Sequence, residues 1–149
     1  MEPKKIKKKV LFICEHNSSR SQMAEGLLNS IYGDSFEAYS AGTDPDIVNH
    51  YAVKVMADRG IDISRNPSKS LKEFEGEEFD YVVTLCEGDG DVCPFFPGGK
   101  TYTHRSFPDP ASVGGDDSKK VKIFTQVRDE IEEWIKDGEW IKEKFQNEI

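Results

Sequence analysis

Apolar and polar positions change period several times along the chain, and each change marks an element. Val10-Leu11-Phe12-Ile13 is an uninterrupted apolar run, the pattern of a strand buried on both faces of a parallel sheet. From Ser19 the spacing becomes helical, with Met23, Ala24, Leu27, Leu28 and Ile31 on one face. Phe36 to Tyr39 predicts a short second strand, and Tyr51 to Arg59 a helix that ends at Gly60, a residue suited to a left-handed cap. Tyr81-Val82-Val83-Thr84-Leu85 predicts a third buried strand, and Tyr102 to Phe107 a weaker fourth. The last long element carries Val121, Phe124, Val127, Ile131, Trp134 and Ile135 on one face. Gly138 is placed to cap or kink it before a short segment with Trp140, Ile141 and Phe145, aromatics assigned to packing rather than to a ligand. Strands alternating with helices predict an α/β domain of three layers, with a mostly parallel four-stranded sheet at its centre. No internal repeat is present, and the loop of unusual composition is Glu87 to Lys100, rich in Gly, Asp and Pro.

At 149 residues the chain is expected to form a single domain over 1–149. A chain of this size buries roughly two-thirds of its unfolded surface and needs neither disulfide nor metal to hold together. Twenty Lys and Arg against 28 Asp and Glu give a net charge of −8, which argues against nucleic acid and against an anionic membrane as partners. No apolar run approaches the ~20 residues of a membrane span. The apolar stretch after the Lys-rich opening is too short for an export signal, so a soluble, cytoplasmic protein is expected; a monomer is expected as well. The five lysines within residues 4–9 and the eight acids within 129–149 read as a solvated tail and a solvated helix face. Three cysteines, Cys14, Cys86 and Cys93, are an odd number and do not suit a secreted disulfide scaffold. They leave reactive thiols, a metal site or plain buried thiols as alternatives.

Cys14 closes the first strand, at the end of an open α/β sheet where ligands bind. Glu15-His16-Asn17-Ser18-Ser19-Arg20 follow, and then the helix begins. Such a strand–loop–helix turn can aim consecutive backbone N–H groups into one concave anion site. Arg20 can close it with a forked, permanently charged guanidinium that fits a tetrahedral oxyanion. The same donors would stabilise the Cys14 thiolate, the form in which sulfur attacks. As a bare pattern Cys-x5-Arg is weak; its place between a buried strand and an amphipathic helix gives it weight.

Val10 to Gly26, VLFICEHNSSRSQMAEG, resembles the signature of the low-molecular-weight tyrosine phosphatase fold, and its RSQMAE run resembles the thioredoxin-coupled arsenate reductases. Ser40-Ala41-Gly42-Thr43, Gly60-Ile61-Asp62-Ile63-Ser64, Thr84-Leu85-Cys86 and Phe107-Pro108-Asp109-Pro110-Ala111 are similar to further stretches of the family. The resemblance spans roughly residues 8–135, leaving the Lys-rich segment 1–9 and the extension 136–149 outside it. It implies Cys14 as nucleophile, Arg20 as oxyanion clamp, and a substrate loop of Glu15, His16, Asn17, Ser18, Ser19 and Arg20. It further implies that Asn17 holds the loop, that Ser21 bonds the thiolate, and that Asp109 protonates the departing oxygen, with Pro110 restricting where its carboxyl points. Cys86 and then Cys93 would relay two electrons by thiol exchange, the resulting disulfide being opened by thioredoxin, or alternatively by a glutaredoxin-like donor. The family's seven-residue offset between these cysteines is met. No Gly-x-Gly-x-x-Gly dinucleotide motif is present, so the electrons are expected from an external thiol rather than a bound cofactor.

Ser19 stands where several relatives carry a cysteine outside the relay, and His16 where many carry a small residue; His16 is read as a spectator, with tuning of the thiolate as its alternative. Some relatives bind potassium through residues matching Asn17, Glu25 and Ser40 plus an acid, and Lys69 falls at that last position. Its ammonium is expected to replace the ion, pairing with Glu25 and steadying Asn17. Three other functions stay open. One is a tyrosine phosphatase that uses Cys14, Arg20 and Asp109 alone. Another is a structural zinc module built on Cys86, Cys93 and His104, with Cys14 or His16 as a further candidate ligand, whose spacing lacks the usual short cysteine pair. An oxyanion-binding module without turnover is a further alternative. His50 and His104 are otherwise assigned to structure or surface.

Overall fold

The computed structural model describes residues 6–87, 95–138 and 140. Cys93, Ile141 and Phe145 therefore lie outside the described residues. Four parallel strands form one sheet: β1 (Lys8–Cys14), β2 (Phe36–Gly42), β3 (Phe79–Thr84) and β4 (Gly99–His104), in the order β2-β1-β3-β4. The helices are α1 (Arg20–Tyr32), α2 (His50–Ala57) and α3 (Asp117–Asp137), with single 3-10 turns at Leu71–Phe74 and Pro110–Ser112.

The apolar run of β1 is buried because it sits at the centre with both faces covered. Its side chains alternate, as pleating requires: Val10 and Phe12 join one core cluster, Leu11 and Ile13 the other. The first and larger cluster is filled by α1, α2 and α3 through residues such as Leu27, Val55 and Ile131. The second is closed by Phe74, Phe79 and Phe96, whose rings meet edge to face around Phe79. The sheet is thus the middle of three layers, and the layer opposite the α-helices is thin.

Local chemistry sets the boundaries. After α2, Gly60 has φ 76°, and the Gly60 and Ile61 amides donate to the Ala57 and Met56 carbonyls. This is the left-handed C-terminal cap that glycine allows without a Cβ penalty. Asp116 caps the start of α3 by accepting from the Lys119 amide, and Gly138 closes its end at φ 72°. The fourth strand runs from Gly99 to His104 rather than over Tyr102 to Phe107. As the edge strand it alternates between half-buried and exposed residues, so its first half carries no apolar signal. The segment beyond it still pairs with β3, through Arg105 N–H to the Thr84 carbonyl and Phe107 N–H to the Leu85 carbonyl, which is why the apolar end looked like strand. Likewise β2 continues past Tyr39 to Gly42, paired with β1 throughout.

Gly138 turns the chain so that Trp140 returns to the core. Its ring lies 5.4 Å from Tyr81, 5.5 Å from Phe36 and 5.6 Å from Trp134, centroid to centroid. Trp140→Ala should lower stability by about 3–5 kcal/mol in urea unfolding. Trp140→Phe should cost clearly less, because the indole Nε1 is buried with no hydrogen-bond partner among the described residues. Equal losses in the two variants would mean that the ring area is not what this position contributes.

Candidate active site

In the order β2-β1-β3-β4 the chain leaves β1 toward one side and returns on the other, so the carboxyl end of β1 is a switch point where an open sheet binds ligands. Cys14 is the last residue of β1 and Arg20 the first of α1; residues 15–19 form the loop between them. The Glu15 carbonyl accepts from the Asp44 amide, His16 from the Asp46 amide and Ser68 Oγ, Ser18 from the Asn49 amide, and Asn17 from Gln22 Nε2. No peptide here is cis, and in a trans peptide the N–H points opposite to its carbonyl. With the carbonyls of residues 15–18 taken from outside, the amides of residues 16–19 are turned into the concavity, beside the N-terminus of α1. Ser19 occupies the N-cap, but its Oγ makes no cap bond and is buried without a partner among the described residues.

Asn17 fixes this shape. It is fully buried, has φ 50°, and is the one non-glycine residue in the left-handed region among those described. Its Oδ1 accepts from the Lys69 backbone N–H at 2.7 Å and from Gln22 Nε2 at 2.9 Å. A backbone N–H can only donate, so the amide orientation is determined, and Nδ2 donates to Ser21 Oγ at 2.8 Å. Ser21 Oγ in turn shares a hydrogen bond with Cys14 Sγ at 2.8 Å, in which either atom can be the donor.

Arg20 is 3 % exposed and anchored by Nη1 on the Phe107 carbonyl at 3.3 Å. Its Nη2 lies 3.8 Å from Asp109 Oδ2. Asp109 enters from the loop after β4: its Oδ1 accepts from the Ala111 amide, and its own amide donates to Glu87 Oε1 at 2.7 Å. Cys14, His16, Ser18, Arg20 and Asp109 line a cavity of about 30 Å³. Two larger hollows, about 860 Å³ beside Arg105 and Trp134 and about 580 Å³ beside Phe96, contain none of these groups. Chemistry rather than size selects the small one.

Cys86 follows β3, the neighbour of β1. Ile13 pairs with Thr84, and the Leu85 amide bonds the Ile13 carbonyl, so Cys86 lies at the same sheet edge as Cys14. Cys86 is fully buried and disulfide-bonded, whereas Cys14 is a free thiol.

A family model described as low molecular weight phosphotyrosine protein phosphatase matches residues 9–146. An arsenate reductase of Halalkalibacterium halodurans is 45 % identical over 87 % of this chain and 94 % of its own. The arsenate reductase of Bacillus subtilis is 41 % identical over 86 % and 92 %. Among solved structures, an arsenate reductase in its oxidised state superimposes with a TM-score of 0.73 at 29 % identity, covering 91 % of this chain and 98 % of that one. This chain belongs to the arsenate reductase branch of the low-molecular-weight phosphotyrosine phosphatase family.

With the family known, the supporting residues can be placed. Lys69 Nζ lies 3.7 Å from Glu25 Oε1 and donates to the Pro67 carbonyl. Its contact with Asn17, however, is made by the Lys69 backbone and not by the ammonium that the sequence led us to expect. Burial pushes the Glu25 carboxyl above its usual range, against the opposing Lys69 ammonium and the neighbouring Ser40. Ser40 lies beside that carboxyl, although its Oγ meets no strict hydrogen-bond geometry with any described partner. A donor set that includes an ammonium does not suit potassium. His104 Nδ1 shares a hydrogen bond with Thr84 Oγ1 at 2.7 Å, and no group of three or more His, Cys, Asp or Glu placed to hold a metal ion stands together among the described residues.

Three residues the sequence reading assigned no role shape the site. Gln22 spans Asn17 and the Pro67 carbonyl, Glu87 holds the Asp109 backbone, and Gly42 lets β2 pass beneath the loop. A Cβ on Gly42 would sit 2.5 Å from the Glu15 carbonyl oxygen and 2.8 Å from the Asn17 nitrogen. Gly42→Ala should therefore displace the loop, costing roughly 1–3 kcal/mol in unfolding experiments and removing inorganic phosphate binding in calorimetry. Unchanged phosphate affinity would show that the loop does not depend on this close approach.

Proposed function

We propose that the protein is a cytoplasmic, monomeric arsenate reductase that works by a three-thiol relay recycled by thioredoxin. The Cys14 thiolate attacks arsenic(V) held by the loop amides and Arg20; an S–As bond forms, and Asp109 protonates the hydroxide that leaves. The Cys86 thiolate then attacks Cys14 Sγ. The S–As electron pair stays with arsenic, which departs as arsenite, and a Cys14–Cys86 disulfide remains. Cys93 attacks Cys86 and frees Cys14, and a dithiol donor of the thioredoxin type reduces the Cys86–Cys93 bond.

The observation that carries this reading is the pairing of a free Cys14 with a disulfide-bonded Cys86 at the same sheet edge. A cysteine that can enter a disulfide, at the same sheet edge as a free thiol, is what a thiol relay requires. By register Cys14 falls opposite Leu85, one residue before Cys86, so the segment after β3 has to rearrange locally for the two sulfurs to reach disulfide geometry. A solved arsenate reductase of Corynebacterium glutamicum, 34 % identical with a TM-score of 0.60, is described as thioredoxin-dependent; it covers 88 % of this chain and 61 % of that one. Hydrolysis of a phosphoenzyme would need one thiol and leaves the disulfide at Cys86 without a purpose.

Arsenite production from arsenate, with thioredoxin, its reductase and NADPH, tests the proposal beside hydrolysis of an aryl phosphate. Cys14→Ser, Cys86→Ser and Cys93→Ser should each abolish multiple turnover. If only Cys14→Ser matters, and the aryl phosphate is the substrate turned over, the protein is a phosphatase. The Lys69 ammonium also predicts arsenate reduction that is indifferent to potassium, with potassium dependence appearing in Lys69→Asp; dependence in the unaltered protein would contradict it.

A further inference from the structure

His16 lines the cavity over Cys14 and has no part in the relay. Its Nδ1 lies 2.9 Å from the Asp44 carbonyl. A carbonyl only accepts, so Nδ1 carries a proton and Nε2 is the atom that gains or loses one. Around the ring stand three carboxylates from three segments: Glu15 at 3.8 Å from Nε2, Asp44 at 3.7 Å from Nδ1, and Asp109 from the loop after β4. Cys14 and Arg20 are the other charged or titratable groups lining the cavity. Arg20 is 3 % exposed, whereas the His16 side chain is 44 % exposed and stands nearer the solvent. An anion entering a protein of net charge −8 thus meets acids at the mouth before it meets the guanidinium.

We propose that His16 is a second cationic contact for the incoming oxyanion: as imidazolium it offsets Glu15, Asp44 and Asp109 at the mouth and sets how substrate affinity falls with pH. The inference rests on the loop being an oxyanion site, not on arsenate being reduced there. The hydrogen bond to the Asp44 carbonyl raises the ring's proton affinity above that of free histidine; burial opposes this, and Glu15, Asp44 and Asp109 add to it. The cation is present below that raised pKa and is lost as pH rises through it, so the added affinity belongs to the acid side and vanishes on the alkaline side.

Inorganic phosphate serves as the probe, with its Kd measured by calorimetry on the full, reduced chain from about pH 5.5 to about pH 8.5. The unaltered protein should bind roughly two- to fivefold more tightly than His16→Gln at the acid end, the size of a partly exposed ion pair, and the two should converge at the alkaline end. His16→Lys should stay ahead of His16→Gln across the whole range. The His16 imidazole signal in NMR should titrate over the same interval in which the Kd ratio changes. A Kd ratio between the unaltered protein and His16→Gln that does not vary with pH would overturn the inference. Absence of phosphate binding in every form would instead overturn the oxyanion reading of the loop and this inference with it. His16-dependent phosphate binding without arsenate reduction would leave this inference standing and remove the reductase assignment.

Discussion

The site depends on one buried side-chain amide. Asn17 bends the chain into the left-handed region, a conformation asparagine tolerates better than most residues, and every polar atom of its side chain is used. Oδ1 is filled by the Lys69 amide and Gln22, and Nδ2 reaches Ser21, which in turn reaches Cys14. Two stretches far apart in sequence are thereby tied at one point: the continuous run from the end of β1 through the loop into α1, and the Pro67–Lys69 segment. Losing such a buried group would leave its partners unsatisfied, which is more costly than the bonds themselves are stabilising.

That tie solves an electrostatic problem. A chain of net charge −8 must attract an anion, so positive potential has to be concentrated locally. Inward-facing amides, the start of α1 and the buried Arg20 supply it, with no mobile side chain needed in the inner wall. Asp109 approaches the same guanidinium from the loop after β4, and its backbone is held by Glu87, the residue directly after Cys86. The segment after β3 that carries Cys86 and the loop that carries Asp109 are joined by this bond.

The central sheet was legible because buried parallel strands are written as apolar runs: Val10 to Ile13 and Tyr81 to Leu85 announced themselves. The edge strand was read three residues late because Gly99, Lys100 and Thr101 have no core to face. Cys14, Arg20 and the anion loop were visible as a strand–loop–helix turn, and the family resemblance named Ser21, Asp109 and the two further cysteines. What escaped were groups acting through the backbone. The Lys69 amide rather than its ammonium meets Asn17, Glu87 binds the Asp109 amide, and Gly42 matters for the Cβ it lacks. No side-chain pattern encodes such contacts; they arise where distant loops cross.

The relay predicts a particular distribution of oxidised sulfur after one turnover. Fully reduced protein would be mixed with excess arsenate in the absence of any reductant, quenched by alkylation, and its cysteines mapped by mass spectrometry while arsenite is counted. One arsenite per chain, with Cys14 alkylated and Cys86 disulfide-bonded to Cys93, is the expected result. Arsenate left unreduced, or oxidation that stops with Cys14 in the disulfide and Cys93 alkylated, would contradict the three-thiol account.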